Sequence, residues 1–310
     1  MKNWISNYLK PKIKSLFKKR SSESNENLWT TCECKNLILK EDLMKNLNVC
    51  PKCNAHHKLT CPERFKIFFD NGEYELLDYP VPYPDPLKFF DKKKYSDRIK
   101  EARKLTGQND AVAIATGKLD GMDVTVGAQD FRFNGGSFSM ASAEAFLYAT
   151  KHAIEKKQPF IFFSCTGGIA VQQNLFSLNG MIRSTIAVRD LRKNKIPFVS
   201  VLTNPTSGGA FASYASLGDF LIGEEDSIIC FAGLRVIQAQ IKESLPEDFQ
   251  KASWVEAHGQ IDLVVKRKYM RSTISTLLNV LLKTAETKAN TDSTNVVSID
   301  QSLQKSYKTV

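Results

Sequence analysis

The stretch "TNPTSGGAFASYASLGD", Thr203–Asp219, decides how this chain is read. It follows "IPFVSVL" (196–202), an apolar run with the composition of a buried strand. It then places Gly208-Gly209 where a helix, "AFASYASLG", is expected to begin. A glycine pair at such a turn has two uses. It lets two elements pack closely, because no Cβ stands between them. Alternatively it bares backbone N–H groups, which a helix dipole turns toward a negative charge. One pair alone leaves both uses open.

Working outward, the same pattern recurs. "PFIFFSC" (159–165) reads as a buried strand and leads into Gly167-Gly168 and a long helical stretch to about Lys193. A third pair, Gly135-Gly136, sits in "NGGSFS". Two turns in matching positions favour at least one oxyanion site. The sequence contains no G-x-G-x-x-G fingerprint, no G-x-x-x-x-G-K-[ST] loop and no G-x-S-x-G elbow. The core histidines, His152 and His258, are expected on helices away from the turns. Backbone donors without a nucleophile or base suit chemistry through a thioester enolate, in which the protein holds the oxyanion and another agent carries the proton.

The turns belong to a core expected over residues 111–287. It opens with two β-rich runs joined at Asp120-Gly121, a hairpin signal. Strands and helices then alternate: a helix at about 140–156, short strands "FLIG" and "SIICFAG", a helix near 236–243, the strand "IDLVV" (261–265) and a final helix near 269–287. This order predicts an α/β fold with parallel pairing. Residues 59–110 read as a connector. "ERFKIFFDNGEYELLD" is a short helix and turn, "YPVPYPDPLKFF" an extended proline-rich link, and "KKKYSDRIKEARKLTG" a surface helix ending at Gly107. Residues 288–310 have the composition of a disordered tail.

At 310 residues, 42% hydrophobic and 25% charged, the chain has an ordinary soluble composition. Its net charge of +10 is a property of one end. Residues 1–20 carry seven Lys or Arg and no acid, leaving 36 basic against 33 acidic residues elsewhere. A nearly neutral body makes nucleic-acid binding a secondary role at most. Residues 1–27 read as a basic, partly amphipathic tail and linker, without the continuous apolar region of a secretory signal. No apolar run is long enough to span a bilayer. Seven cysteines in such a chain predict a reducing, cytoplasmic setting.

Four of those cysteines fall in residues 28–58. Cys32 and Cys34 form C-x-C, Cys50 and Cys53 form C-x-x-C, and 15 residues separate the pairs. Two thiolate pairs on a short hairpin suit tetrahedral Zn²⁺, and four thiolates leave no open position, so the site is structural. The C-x-C pair is one residue tighter than a usual knuckle. His56, His57 and Cys61 are reserve ligands, although the two histidines read as surface residues, and a metal-free module is the competing reading.

From about Leu28 to Leu282 the sequence resembles the β subunit of the bacterial and plastid acetyl-CoA carboxylase carboxyltransferase. The resemblance rests on "LW" before the cysteine module, "VCPKC", "GGS" (135–137), "TNPTSGGAFASYASLGD" and "FAGLRVIQAQIKESLPEDFQKASWVEAHGQIDLVV" (231–265). It implies a crotonase-like spiral of β-β-α units carrying an N-terminal zinc ribbon. It also implies transfer of a carboxyl group from carboxybiotin to acetyl-CoA, giving malonyl-CoA for fatty acid synthesis. The partners it implies are an α subunit, in an α2β2 assembly with the active site between the two, a biotin carboxyl carrier protein, and biotin carboxylase in the full ATP-dependent complex. The discharged biotin would supply the missing base. Gly208 and Gly209, with Gly167 and Gly168, would be the oxyanion donors. Alternatives are a carboxyltransferase for another acyl-CoA, or a non-catalytic scaffold or nucleic-acid-binding ribbon protein. The scaffold reading draws on departures from the family pattern. "TGGIAVQQ" (166–173) has Ala170 and Gln173 where the family carries Arg and Glu, and "FAGLR" has Leu234 for Pro.

Overall fold

The computed structural model describes residues 28–241 and 245–291. The basic segment 1–27, residues 292–310 of the expected tail, and residues 242–244 lie outside that range. The chain begins with a small hairpin, β1 (Trp29–Thr31) against β2 (Leu37–Leu39), followed by α1 (Lys40–Lys45). A capping box then starts α2 (Cys61–Phe68): Thr60 Oγ1 accepts the Glu63 N–H and the Glu63 carboxylate accepts the Thr60 N–H.

The rest is built on one eight-stranded sheet, ordered β10-β8-β7-β6-β5-β4-β3 with β9 beside the end of β7. Its strands are β3 (Tyr74–Leu76), β4 (Val112–Leu119), β5 (Met122–Gln129), β6 (Phe160–Thr166), β7 (Phe198–Ser207), β8 (Phe220–Glu224), β9 (Ile229–Cys230) and β10 (Leu263–Val265). From β3 to β5 the pairing is antiparallel, and from β5 through β10 it is parallel. The β4–β5 hairpin turns at Asp120 and Gly121. Both have positive φ, +50° and +82°, the conformation that a two-residue turn requires.

Side chains alternate through the sheet. Phe160 and Phe162 of β6 face α4 (Met140–Lys156) and α5 (Leu175–Lys193), while Ile161 and Phe163 face α2 and α8 (Arg267–Thr291). Ala143, Ala149 and Ala153 keep α4 close to its neighbours, with Phe146 packed edge-on against Phe160, Phe162 and Phe198. Gly180 of α5 admits the same closeness, since a Cβ there would lie 2.8 Å from the Ala143 Cβ.

Several boundaries depart from the sequence reading. The helix-and-turn expected after residue 62 also contains β3, which extends the sheet by pairing with Ala115–Gly117 of β4. A helix absent from that reading, α7 (Ala252–Ala257), covers the β8 end of the sheet. The helix expected near 236 begins earlier, as α6 (Leu234–Ile241). The last helix continues to Thr291, so residues 288–291 are helical and not tail. The helix from Tyr95 to Thr106, α3 by chain order, ends as expected at Gly107, which takes φ +71°.

Candidate active site

The two glycine turns sit at the ends of adjacent parallel strands, β6 and β7. Their ladder is interrupted where Ser164 pairs with Leu202 but Thr166 pairs with Thr206. Pro205, in a cis peptide, occupies the extra length. Thr203 and Thr206 hold the irregular stretch by donating from both hydroxyls to the Ser164 carbonyl, at 2.6 and 3.1 Å. The turns then meet backbone to backbone. A Cβ at Gly208 would lie 3.1 Å from Gly168 Cα and 3.4 Å from Gly167 O. Gly208 (φ +66°) and Gly168 (φ +126°) both take left-handed conformations. Close packing is therefore one real role of these residues.

The N–H groups are not equally available. Gly167 N–H donates to Gly135 O at 2.9 Å, and Gly168 N–H to Thr166 Oγ1 at 2.9 Å. Gly208 N–H is shared between the carbonyls of Cys230 and Phe231, at 3.0 and 3.1 Å. Gly209 is different. Gly208 O accepts Ala212 N–H at 3.1 Å, closing a single α-type turn, and the N–H groups of Gly209, Ala210 and Phe211 have no hydrogen-bond partner among the described residues. The start of a helical turn leaves its first N–H groups free in this way, with their partial positive charge. Ala210 and Phe211 were not distinguished in the sequence. Their signal was position, directly after the glycines.

The helix expected over "AFASYASLG" (210–218) is not formed. After the α-type turn the chain passes into a 3-10 turn at Tyr214–Ser216. Ser213 Oγ donates back to Gly209 O at 2.8 Å, and such local bonds compete with helix propagation. Tyr214 is drawn into the core, where its hydroxyl reaches Gln129 Oε1 at 2.9 Å and its ring packs on Phe138. At the other turn, α5 starts only at Leu175, beyond a 3-10 turn at Val171–Gln173.

Gln173 explains one family departure. Its side chain is buried, accepts Met140 N–H at 2.7 Å and donates to Pro84 O at 2.8 Å. A glutamate could accept the first bond but not donate the second. Ala170 is fully buried and its carbonyl accepts Gln173 N–H at 3.0 Å, so two neutral side chains suit this closed segment.

No Asp, Glu, His or Lys side chain among the described residues hydrogen-bonds to either glycine turn. Cys165, next to Thr166, is buried, and that burial pushes its thiol up to about 11, which leaves it protonated. His152 is engaged with Thr125 Oγ1, and His258 stacks on Trp254 at the surface.

The four cysteine sulfurs come together as expected. The four sulfurs of Cys32, Cys34, Cys50 and Cys53 lie within 4.8 Å of one another, with Cys32–Cys53 at 3.5 Å and Cys34–Cys50 at 3.9 Å. A tetrahedron with Zn–S near 2.3 Å places its sulfurs about 3.8 Å apart, so the shortened C-x-C knuckle still fits zinc. Asn36 Nδ2 donates to Cys34 Sγ at 3.2 Å and Lys52 N–H to Cys50 Sγ at 3.4 Å, bonds that favour thiolates. Cys61 stands apart, its thiol directed at Ala128 O. His56 is not the expected surface residue, because its side chain is only 7% exposed against Glu224.

Residues 89–291 match the carboxyl transferase domain family, and residues 29–53 match the acetyl-CoA carboxylase zinc finger domain. Over 285 residues the chain is 46% identical to the acetyl-coenzyme A carboxylase carboxyl transferase subunit beta of Pelagibacter ubique, covering 91% of this chain and 92% of that one. The chain belongs to the acetyl-CoA carboxylase carboxyltransferase β-subunit family. The β subunit from Jannaschia sp. is similar at 44% identity over 281 residues, 90% of this chain and 88% of that one. Among solved structures, transcarboxylase 12S matches with a TM-score of 0.58 at 23% identity, over 71% of this chain and 41% of that longer chain. The Pseudomonas malonate decarboxylase MdcD-MdcE hetero-dimer matches with a TM-score of 0.54 at 20% identity, over 74% and 86%. These two likenesses show that the chain shares the fold of both. No helix among its described residues is long and apolar enough to cross a membrane.

Proposed function

We propose that this β-family chain, with a non-identical α-type subunit, transfers the carboxyl group of carboxybiotin to acetyl-CoA and so forms malonyl-CoA. The observation that carries this reading is the run of free N–H groups at Gly209, Ala210 and Phe211, facing a turn that has no acid or base. Carboxybiotin, delivered on its carrier protein, supplies the carboxyl group and, once discharged, the base for the methyl proton. The chain's own part is electrostatic. The N–H group of Gly209, with its neighbours, stabilises the oxygen that becomes anionic, either on the thioester or on the ureido ring. Gly208 and Gly168 hold the two turns in contact, and Gly167 anchors its turn to Gly135. Of the four glycines, Gly209 is thus the donor, and the other three shape the place where it acts.

A second chain at this site is supported by exposed apolar residues around the turns. Leu175, Leu178, Ile182 and Ile186 form one outward stripe on α5, and Phe231 and Leu234 stand exposed beside the partner carbonyls of Gly208. The test is co-expression with the α-type subunit of the same genome, followed by the reverse reaction. Malonyl-CoA and biocytin yield acetyl-CoA if the reading holds. A folded, zinc-loaded heteromer without turnover would contradict it.

A further inference from the structure

The zinc ribbon is joined to the core by a buried arginine. Arg267, the first residue of α8, has a side chain only 2% exposed. Its Nη1 donates to the carbonyls of Leu47, Asn48 and His57, at 2.9, 3.1 and 2.9 Å, all in the ribbon segment. Its Nε and Nη2 hold Glu224 Oε1 and Oε2, at 2.9 and 2.7 Å. Arg64 of α2 donates to Glu224 Oε1 at 3.0 Å. Glu224 ends β8, so one guanidinium ties the ribbon, the sheet and the last helix together. Burial pushes the Glu224 carboxyl up, but the Arg64 and Arg267 guanidiniums outweigh it and hold the group well below the usual carboxylate range.

The gripped segment reaches the strand ends that lead into the glycine turns. His56, His57 and Lys58 line a cavity of about 10 Å³ together with Cys165, Thr203 and Asn204. Cys165 leads into the Gly167-Gly168 turn, and Thr203-Asn204 leads into Pro205–Gly208. Neither His56 Nδ1 nor His57 Nε2 has a hydrogen-bond partner among the described residues, so these rings are held by what surrounds them. Above the cavity, Cys165 Sγ donates to Asn204 O at 3.3 Å, and Asn204 Oδ1 accepts Ile228 N–H at 3.3 Å. The Ile228 carbonyl in turn accepts Thr206 N–H at 2.8 Å.

We propose that Arg267 is a positioning residue: by holding three ribbon carbonyls and Glu224 at once, it seats His56 and His57 beneath the Cys165 and Asn204 backbones and fixes the two glycine turns against each other. The ribbon is then part of the frame of the active site, and not an independent module. A lysine cannot replace this grip, since its single ammonium lacks the five-donor fork.

The test uses the full chain, alone and co-expressed with the α-type subunit. In Arg267→Lys, amide exchange over 203–209 rises about tenfold or more while α4 exchanges as in wild type. Its reverse-reaction kcat falls roughly 10- to 100-fold with KM for malonyl-CoA little changed, as expected for misplaced donors. Zinc withdrawal from the wild-type chain by a chelator raises exchange over the same 203–209 segment, which keeps the inference testable if Arg267→Lys does not fold. Ribbon residues 47–57 loosening in either case, with 203–209 still at wild-type protection, would overturn it. The kinetic arm rests on the carboxyltransferase reading. The exchange arms do not, so an inactive wild-type heteromer would sink that reading and leave this inference standing or falling on exchange alone.

Discussion

The two glycine turns have the same grammar, an apolar strand, a small hydroxyl residue and Gly-Gly, yet the chain uses them differently. At Gly167-Gly168 both N–H groups are engaged, one by Gly135 O and one by Thr166 Oγ1. At Gly208-Gly209 only the first is, and three consecutive N–H groups beyond it are left free among the described residues. One turn has its N–H groups tied down, and the other leaves free the N–H groups that the proposed donor role needs. A shared motif therefore identified a shared location, while hydrogen-bond accounting separated the roles.

Substitutions can break that contrast in graded steps. The largest effect belongs to Gly136, on the loop that anchors the Gly167-Gly168 turn. It has φ +64°, and a Cβ there would lie 2.0 Å from Cys165 O, a backbone atom that cannot yield. Gly136→Ala should cost more than about 4 kcal/mol and be visible as loss of soluble protein or a collapsed Tm. Glu224→Gln comes next, because it leaves two buried guanidiniums short of a counter-charge, at roughly 3–5 kcal/mol and about 10 °C in Tm. Its pH dependence has a definite sign. Glu224 is held below its ordinary 4.5, so its contribution is complete above that pH and lost as pH falls through the depressed folded value. The Tm gap between wild type and Glu224→Gln should stay constant from pH 5.5 to 8 and narrow only in acid (~pH 4 and below). A gap that closed near neutrality would show that Glu224 is not the ion-paired group described.

Gly208→Ala should follow at about 2–4 kcal/mol, since it adds left-handed strain to contact with Gly168 Cα. Thermal unfolding measures it, and an unchanged Tm would mean that the turns are not locked together. Gly167→Ala is the mildest. Its φ is not left-handed and its Cβ would meet only Gly135 O, at an ordinary 3.6 Å, so a loss below about 1 kcal/mol is expected.

Much of this was legible beforehand, for local reasons. Asp120-Gly121 specified its hairpin, the alternation in β6 its two buried faces, and the cysteine spacing its sulfur cluster. The features that escaped are set by distant contacts. β3 exists because β4 offers Ala115–Gly117 as an edge, not because "YEL" favours a strand. The helix expected after Gly209 is cut short by Tyr214 entering a core built from α4 and β6. The burial of His56 depends on Glu224 and Arg267, more than 160 residues away in sequence. Within the proposed site, the glycines mark where free N–H groups occur, but that Gly209 and not Gly208 keeps its N–H free depends on the Cys230 and Phe231 carbonyls occupying Gly208.

The central claim is that Gly209, and not Gly167, stands where charge develops. It is tested by comparing Gly209→Ala and Gly167→Ala in the reverse reaction of the assembled heteromer. A Cβ at Gly209 would press within 2.9 Å of Met181 Sδ, a flexible end that can shift, and of Ile169 Cγ2, a stiffer branch that must give by a few tenths of an ångström, both side-chain and not backbone atoms. The account predicts that kcat falls about tenfold or more for Gly209→Ala, with Tm within a few degrees of wild type, and stays within about twofold for Gly167→Ala. Equal turnover in the two variants, or a larger loss at Gly167, would contradict it.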